Sequence, residues 1–527
     1  MAMAPLHARA CCSPTPTPTP STAPLLPSSA SISAFIASHP ALTLLHTRCA
    51  SMAHLRQLHA ALVKSGLARD PIAASRAVAF CAGPGRNVTY AERIVRHHPR
   101  PNSFMWNTVI KALSDGAGPE AAVALFVDML GSPMLPERRT FPSLFAAYAR
   151  LGRASDGAAL HGMALKLGLA GDAYVRNATI AMYASCGRAN EALALFGQCP
   201  EFDVVACNSV IVALARAGRV DEARAVFDGM PERTVVTWSA MVSTYARAAR
   251  CKDAMALFAA MQADGVEPNA NVLVSVLGCC ANLGALEQGA WVHAYIGTHR
   301  VAMNALVVTA LVDMYCKCGS IHKARQVFDT ARSQGLAKLS SWNSMMQGLA
   351  VHGQCQEAVA LFSELNSYGL SPDNVTFIAV LTAYGHSGMP EEAKAAFASM
   401  ASEHGVVPEI EHYGCIVDAL ARAGRLREAE DAIWSMPMAP DAAVWGALLS
   451  GCRLHGDAEL GARAAREAVR CDPRDSGAYV LAASVLERGG EAGCGAGVRG
   501  RMRQAGVAKV PGCSMIEVNG VVHEFVS

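Results

Sequence analysis

The sequence predicts an all-α fold: a right-handed α-solenoid of tandem helix-turn-helix hairpins, followed by a more degenerate helical region and a short C-terminal β-hairpin. Three observations predict it. The chain has 527 residues, far more than one hydrophobic core organises. A ten-residue pattern recurs along most of its length. Between its copies, aromatic or β-branched stretches return at near-constant spacing, as they do in stacked repeats and not in independent globular domains.

The clearest copies of the pattern are GRANEALALF from residue 187, GRVDEARAVF from 218, GSIHKARQVF from 319, GQCQEAVALF from 353 and GMPEEAKAAF from 388. In each, a Gly is followed five residues later by an Ala (Ala192, Ala223, Ala324, Ala358, Ala393) and nine residues later by a Phe (Phe196, Phe227, Phe328, Phe362, Phe397). The Gly suits a left-handed cap that ends one helix and admits the next. Ala and Phe, four apart, share a face of that second helix; Ala permits close backbone approach and Phe fills the layer between hairpins.

Each first helix is announced by a stretch such as SFMWNTVI, VVACNSVI, VVTWSAMV or LSSWNSMM. Boundaries placed before these stretches give twelve units: 36–70, 71–102, 103–137, 138–172, 173–203, 204–234, 235–269, 270–304, 305–338, 339–373, 374–409 and 410–441. Their lengths alternate between values near 35 and shorter ones of 31 or 32. A tetratricopeptide array would hold a uniform period of about 34 and fits less well.

Composition narrows the function. Lys plus Arg number 45 and Asp plus Glu 43, for a net charge of +2, so the chain lacks the basic excess of a non-specific nucleic-acid binder. The 18 cysteines include no Cys-x-x-Cys and read as small buried apolar residues. No apolar run reaches bilayer length; the longest candidate, ALVVTALVDMY, is broken by Asp313. A soluble chain without a membrane partner is expected. Residues 1–35 are rich in Ser, Thr, Pro and Ala, with Arg9 their only basic Arg or Lys, and the first acidic residue is Asp70. That is transit-peptide composition, and the scarcity of Arg points to a chloroplast over a mitochondrion. A Pro-rich disordered tail without an address is the alternative.

The unit lengths and motifs resemble the plant pentatricopeptide repeat (PPR) family, its PLS subfamily, in which long and short units alternate. After the last unit, AAVWGALLSGCRLHGDAELGARAAREAVRCDPRDSGAYVLAASVLERGG looks like that subfamily's E region, and VPGCSMIEVNGVVHEF like its end. The resemblance divides the chain into 1–35 (targeting segment), 36–441 (PPR solenoid), 442–506 (E region, two degenerate helical repeats) and 507–527 (C-terminal extension). Two departures stand out. Met515 occupies the place of a usual Trp, and RGGEAGCGAGVRG is richer in Gly than a stable helix prefers. Asn519-Gly520 is a two-residue hairpin turn between MIEV and VVHEF.

The resemblance implies a plant organelle factor that binds single-stranded RNA and selects a cytidine for conversion to uridine. The family's deaminase chemistry needs His-x-Glu and Cys-x-x-Cys. Neither occurs here, so the deaminase, with other editing factors, is expected to act in trans through the E region, on a monomeric chain with no catalytic residue, cofactor or metal of its own. Proteins of this repeat class read one base per repeat. The family's rule, carried over by alignment, assigns the reading to the fifth and last residues of each unit. Asn177 with Asp203 and Asn343 with Asp373 then resemble the uridine pair, and Ser75 with Asn102 and Ser239 with Asn269 the adenine pair. Asn208 with Thr234 and Asn107 with Glu137 imply pyrimidines, and Thr309 with Lys338 a purine. Pro142, Val274 and Ile378 discriminate little, and Gly414 leaves Asp441 without a fifth-position partner. From unit 71 the implied footprint is A, pyrimidine, any, U, pyrimidine, A, any, purine, U, any, any.

Bland readings compete with each assignment. A single Asn near a helix start is more often a cap than a base reader; its recurrence at one register in Asn107, Asn177, Asn208 and Asn343 favours reading. Trp106, Trp238 and Trp342 read as packing between repeats, His59, His161 and His293 as satisfied interior histidines, and Cys316 and Cys318 as core. The alternative functions are organelle RNA stabilisation or splicing without editing, and a tetratricopeptide-like protein scaffold, which the recurring Asn disfavours. No nucleophile–base pair or phosphate loop appears at diagnostic spacing, which argues against an enzyme.

Overall fold

The computed structural model describes residues 29–83, 86–116, 118–198, 203–488, 492–509, 513–518 and 521–526. Among them are twenty-nine α-helices and one two-stranded sheet. The fold class is the expected one, a right-handed α-solenoid of helix-turn-helix hairpins, in two compact units, Met1–Cys199 and Pro200–Ser527.

In the first unit, Ser29–Ala37 precedes five hairpins: Pro40–Thr47 with Met52–Lys64, Pro71–Cys81 with Val88–His97, Ser103–Asp115 with Pro119–Leu130, Thr140–Leu151 with Ala154–Lys166, and Ala173–Ser185 with Ala189–Phe196. Helix thus begins inside the segment read as a targeting sequence, whose residues 1–28 lie outside the described residues. The second unit holds seven more hairpins between Val204 and Trp434 and two in the E region, Ala442–His455 with Ala458–Cys471 and Ser476–Arg488 with Ala492–Gln504. Strands β1 (Cys513–Val518) and β2 (Val521–Val526) pair antiparallel, Val518 opposite Val521. The predicted turn residues Asn519 and Gly520 lie outside the described residues.

The recurring pattern explains the stacking. Gly187, Gly218, Gly319, Gly353 and Gly388 all take left-handed φ between 67° and 78°, and the five Ala residues that follow are fully buried. The Phe of one second helix meets the fourth residue of the next unit edge to face. Ring centroids are 5.0 Å apart for Phe227–Trp238, 5.0 Å for Phe328–Trp342, 5.6 Å for Phe362–Phe377 and 4.9 Å for Phe397–Tyr413. Trp434 and Trp445 carry the arrangement into the E region at 5.5 Å. The tryptophans 106, 238 and 342 are buried packing residues, as expected.

In two units Gly replaces the pattern's Ala. A Cβ on Gly157 would lie 2.5 Å from the sulfur of Met182, and one on Gly289 2.4 Å from that of Met314. The E region repeats the device, Gly461 against Val485. Its Gly-rich stretch is helical nonetheless: at Gly495 a Cβ would come within 2.6 Å of Glu487 Cγ and 3.1 Å of the Ala483 carbonyl, so glycine there serves close helix crossing.

Ala249 and Arg300 stand where neighbouring units place the two hairpin glycines, yet hold φ of 56° and 49°. A left-handed L-residue costs about 1–2 kcal/mol. Ala249→Gly and Arg300→Gly are therefore each expected to stabilise the second unit by about 1 kcal/mol, read as a raised urea midpoint with unchanged slope; an unchanged or lowered midpoint would show the strain is not there.

Candidate functional site

Except at Glu137, where Arg139 holds the position, the last residue of a unit proves to be the N-cap of the next first helix. Asn102 accepts from Met105 N–H, Asp203 from Val205 and Ala206, Thr234 from Thr237, Asn269 from Val272, Asp373 from Thr376 and Asp441 from Val444, at 2.8 to 3.4 Å. Caps of this kind contribute about 1 kcal/mol each. The fifth-position asparagines are not caps, which removes the bland reading raised for them from sequence.

Fifth and last residues come together most completely at Asn343 and Asp373. Asn343 Nδ2 donates to Asp373 Oδ1 at 2.9 Å, and Asn343 Oδ1 accepts from the Thr376 hydroxyl at 2.8 Å. Asn343 is only 4% exposed, whereas Asp373 is exposed. One amide hydrogen of Asn343 and the second carboxylate oxygen of Asp373 remain for a ligand. Ser75 and Asn102 pair similarly, Asn102 Nδ2 donating to Ser75 Oγ at 3.2 Å, while Ser75 Oγ also donates to the Pro71 carbonyl at 2.6 Å.

The other pairs differ. Asn107 accepts from the Thr140 hydroxyl at 2.7 Å; Glu137 joins only through its backbone N–H on the same hydroxyl at 3.0 Å, leaving its carboxylate exposed. Thr309 bonds the Ala305 carbonyl and Ser340 hydroxyl, and Lys338 is an exposed N-cap residue whose side chain does not cap. Ser239 is half-buried with Asn269 exposed, and no hydrogen bond joins them. The carbonyl oxygens of Asn177 and Asn208 are buried without a hydrogen-bond partner among the described residues. Pro142, Val274 and Ile378 are half-buried at the same register. Thr140 and Thr376, third residues of their units, are contributors that sequence reading missed; the signal was a Thr three residues after the preceding unit's end.

His59, His161 and His293 are partnered but half-buried rather than interior. Their Nδ1 atoms lie 2.8, 3.4 and 3.0 Å from the hydroxyls of Tyr90, Tyr183 and Tyr315. His161 and His293 sit where other units place Phe. Burial lowers the pKa of all three, with Lys323 adding to the effect at His293. Cys316 is buried and Cys318 half-buried, and burial pushes their thiols up to about 12 and about 11, so both stay protonated. No helix among the described residues is long and apolar enough to cross a membrane.

Fold and site together define a helical-repeat protein that presents polar fifth and last residues in most of its repeats, along the first helices. Family models match where the geometry is clearest: PPR repeat at 205–235, 236–266, 307–336, 375–404 and 411–438, PPR repeat family at 338–386, and E motif at 455–517. The chloroplastic pentatricopeptide repeat-containing protein At2g42920 of Arabidopsis thaliana is 49% identical over 508 residues, 96% of this chain and 90% of that protein. At5g66520 of the same plant is 44% identical, over 91% of this chain and 77% of that protein. The crystal structure of the pentatricopeptide repeat protein PPR10 from maize shares the fold, with a TM-score of 0.51 at 17% identity over 91% of this chain and 79% of that one. This chain belongs to the pentatricopeptide repeat family, in its PLS-type E subgroup.

A histidine with a depressed folded-state pKa contributes stability that is full above its unfolded value, about 6.5, and is lost as pH falls toward the folded one. The melting temperature is expected to drop between about pH 7 and pH 5, and His293→Phe, which installs the residue other units use, to lessen that drop. An identical pH profile for the variant would exclude His293 as a contributor.

Proposed function

We propose that this protein binds single-stranded RNA in a plant organelle, one nucleotide per repeat, and selects a cytidine for conversion to uridine by a deaminase recruited in trans through the E region. The observation that carries the reading is the register. Fifth residues and following N-caps form a repeated polar row, with hydrogen-bonding capacity left over at Asn343–Asp373 and orphan acceptors at Asn177 and Asn208. A base edge would supply the missing donors and acceptors, and buried polar groups favour being paired. Family membership supports the partner class. The chloroplastic name of At2g42920 and the mitochondrial name of At2g22410 support an organelle, and the composition of residues 1–35 favours the chloroplast. Those residues act as the targeting segment, and residues 442–506 as the recruiting region.

The polar row sets the footprint given above, and its specificity can be rewritten. Asn343→Ser with Asp373→Asn is expected to change the preference at that unit from uridine to adenine by about tenfold, equivalent to about 1.4 kcal/mol, in binding assays with RNAs differing at one position. Equal affinity for both RNAs, in wild type and variant, would remove base reading from this pair. Plants lacking the protein are expected to lose cytidine conversion at one or a few sites downstream of such a footprint. Full conversion with a transcript missing or unspliced would instead make it a stabilisation or splicing factor.

A further inference from the structure

The C-terminal hairpin does not stand free. Glu517 on β1 accepts hydrogen bonds from the backbone N–H groups of Glu287 and Gln288, at 2.6 and 3.1 Å. These are orphan donors in the first turn of helix Leu286–Thr298, which has no side-chain cap of its own. Glu524 on β2 forms an ion pair with Lys252 on helix Cys251–Ala263. Val522 lies between these carboxylates and lines a groove of about 650 Å³ with Met255, Phe258 and Trp291. The strand register puts Glu517 opposite Val522 and Met515 opposite Glu524, so the contacting side chains share one face of the ribbon. Two charged contacts and one apolar contact therefore fasten residues about 230 to 270 positions apart.

Six hairpins, from Ala305 to Gln504, lie between helix Leu286–Thr298 and the strands. The fastening closes a ring through all of them. In a repeat stack, small changes at successive interfaces accumulate. Packed helices lie about 8–10 Å apart, whereas a stacked single strand advances only about 3.4 Å per nucleotide. A strand giving one base to each unit therefore draws the first helices together. A hydrogen bond fails beyond about 3.5 Å, so a few tenths of an ångström at each interface would part Glu517 from its donors.

We propose that the C-terminal hairpin is a clasp that closes the second unit on itself and is released when single-stranded RNA draws the intervening repeats together, an inference that rests on the RNA binding proposed above. The clasp lies on second helices and the polar row on first helices, so the two do not compete for space; they compete through the geometry of the stack. Coupling of this kind is reciprocal: RNA opens the clasp, and an opened clasp favours RNA.

The test uses the full chain with Lys252→Glu, Glu524→Lys and the double reversal, and RNA carrying ACAUCAAGUAA as probe. Hydrogen exchange at 513–526 is expected to accelerate about tenfold in each single variant, and on saturation of the wild type with RNA. Both single variants are expected to bind the RNA about fivefold tighter, although they change net charge in opposite directions, and the double reversal to restore wild-type affinity and exchange. Unchanged protection of 513–526 in RNA-saturated protein, or affinities that simply follow net charge, would overturn the clasp while leaving RNA binding intact. Failure of every form to bind any RNA would remove the proposed function and the coupling with it.

Discussion

Everything in this chain depends on the fact that a single helical hairpin cannot bury its own apolar face. The joint that solves this is narrow: a buried small residue on each second helix and an edge-to-face aromatic contact to the following first helix, as at Phe328 and Trp342. Where the small residue is Gly, a methionine of the next unit fills the space, and where Phe gives way to His, a tyrosine hydroxyl satisfies the ring. The stack thus tolerates different joints of similar size. Polar joints of this kind occur in units 36–70, 138–172 and 270–304.

That joint leaves the first helices one lateral row unused for packing, and the polar pairs occupy it. The pairs are held by the same bonds that begin the helices: Asp373 caps through Thr376 while receiving Asn343. Recognition groups placed at a cap are fixed by backbone geometry and lose little entropy on engaging a ligand. Surface ion pairs, by contrast, knit the second helices to one another, Arg425 to Glu391 and Lys394 to Glu428 among them. Such pairs contribute little stability individually but spend the charge of that side internally.

Much of this was legible in the sequence because repetition averages out local ambiguity. The Gly–Ala–Phe spacing located the hairpins, whereas the E-region helices were expected from the family resemblance, and the last of them forms despite a Gly content that argued against it. Single residues without a repeated context were not legible. Ala249 and Arg300 adopt glycine conformations that their identities argue against. Thr140 and Thr376 were invisible as partners because their asparagines lie in the preceding unit. The recurrent asparagines were separable from caps only once Asn102, Asp203 and Asp373 were seen to hold that office. The contacts of Glu517 and Glu524 join segments with no local signal linking them, so no window along the chain could have found them.

That the last residue of most units both caps the following helix and stands in the proposed reading row has a consequence for how such a chain changes over generations. Asn, Asp, Thr and Ser all serve as caps within a few tenths of a kcal/mol of one another, or nearly so, and Asn and Asp are one nucleotide apart in the genetic code. A lineage can therefore wander among these residues at Asn102, Asp203, Thr234, Asn269, Asp373 and Asp441 without leaving the folded state. Variation at the unit ends is neutral to folding and free to be sorted by whatever the polar row meets.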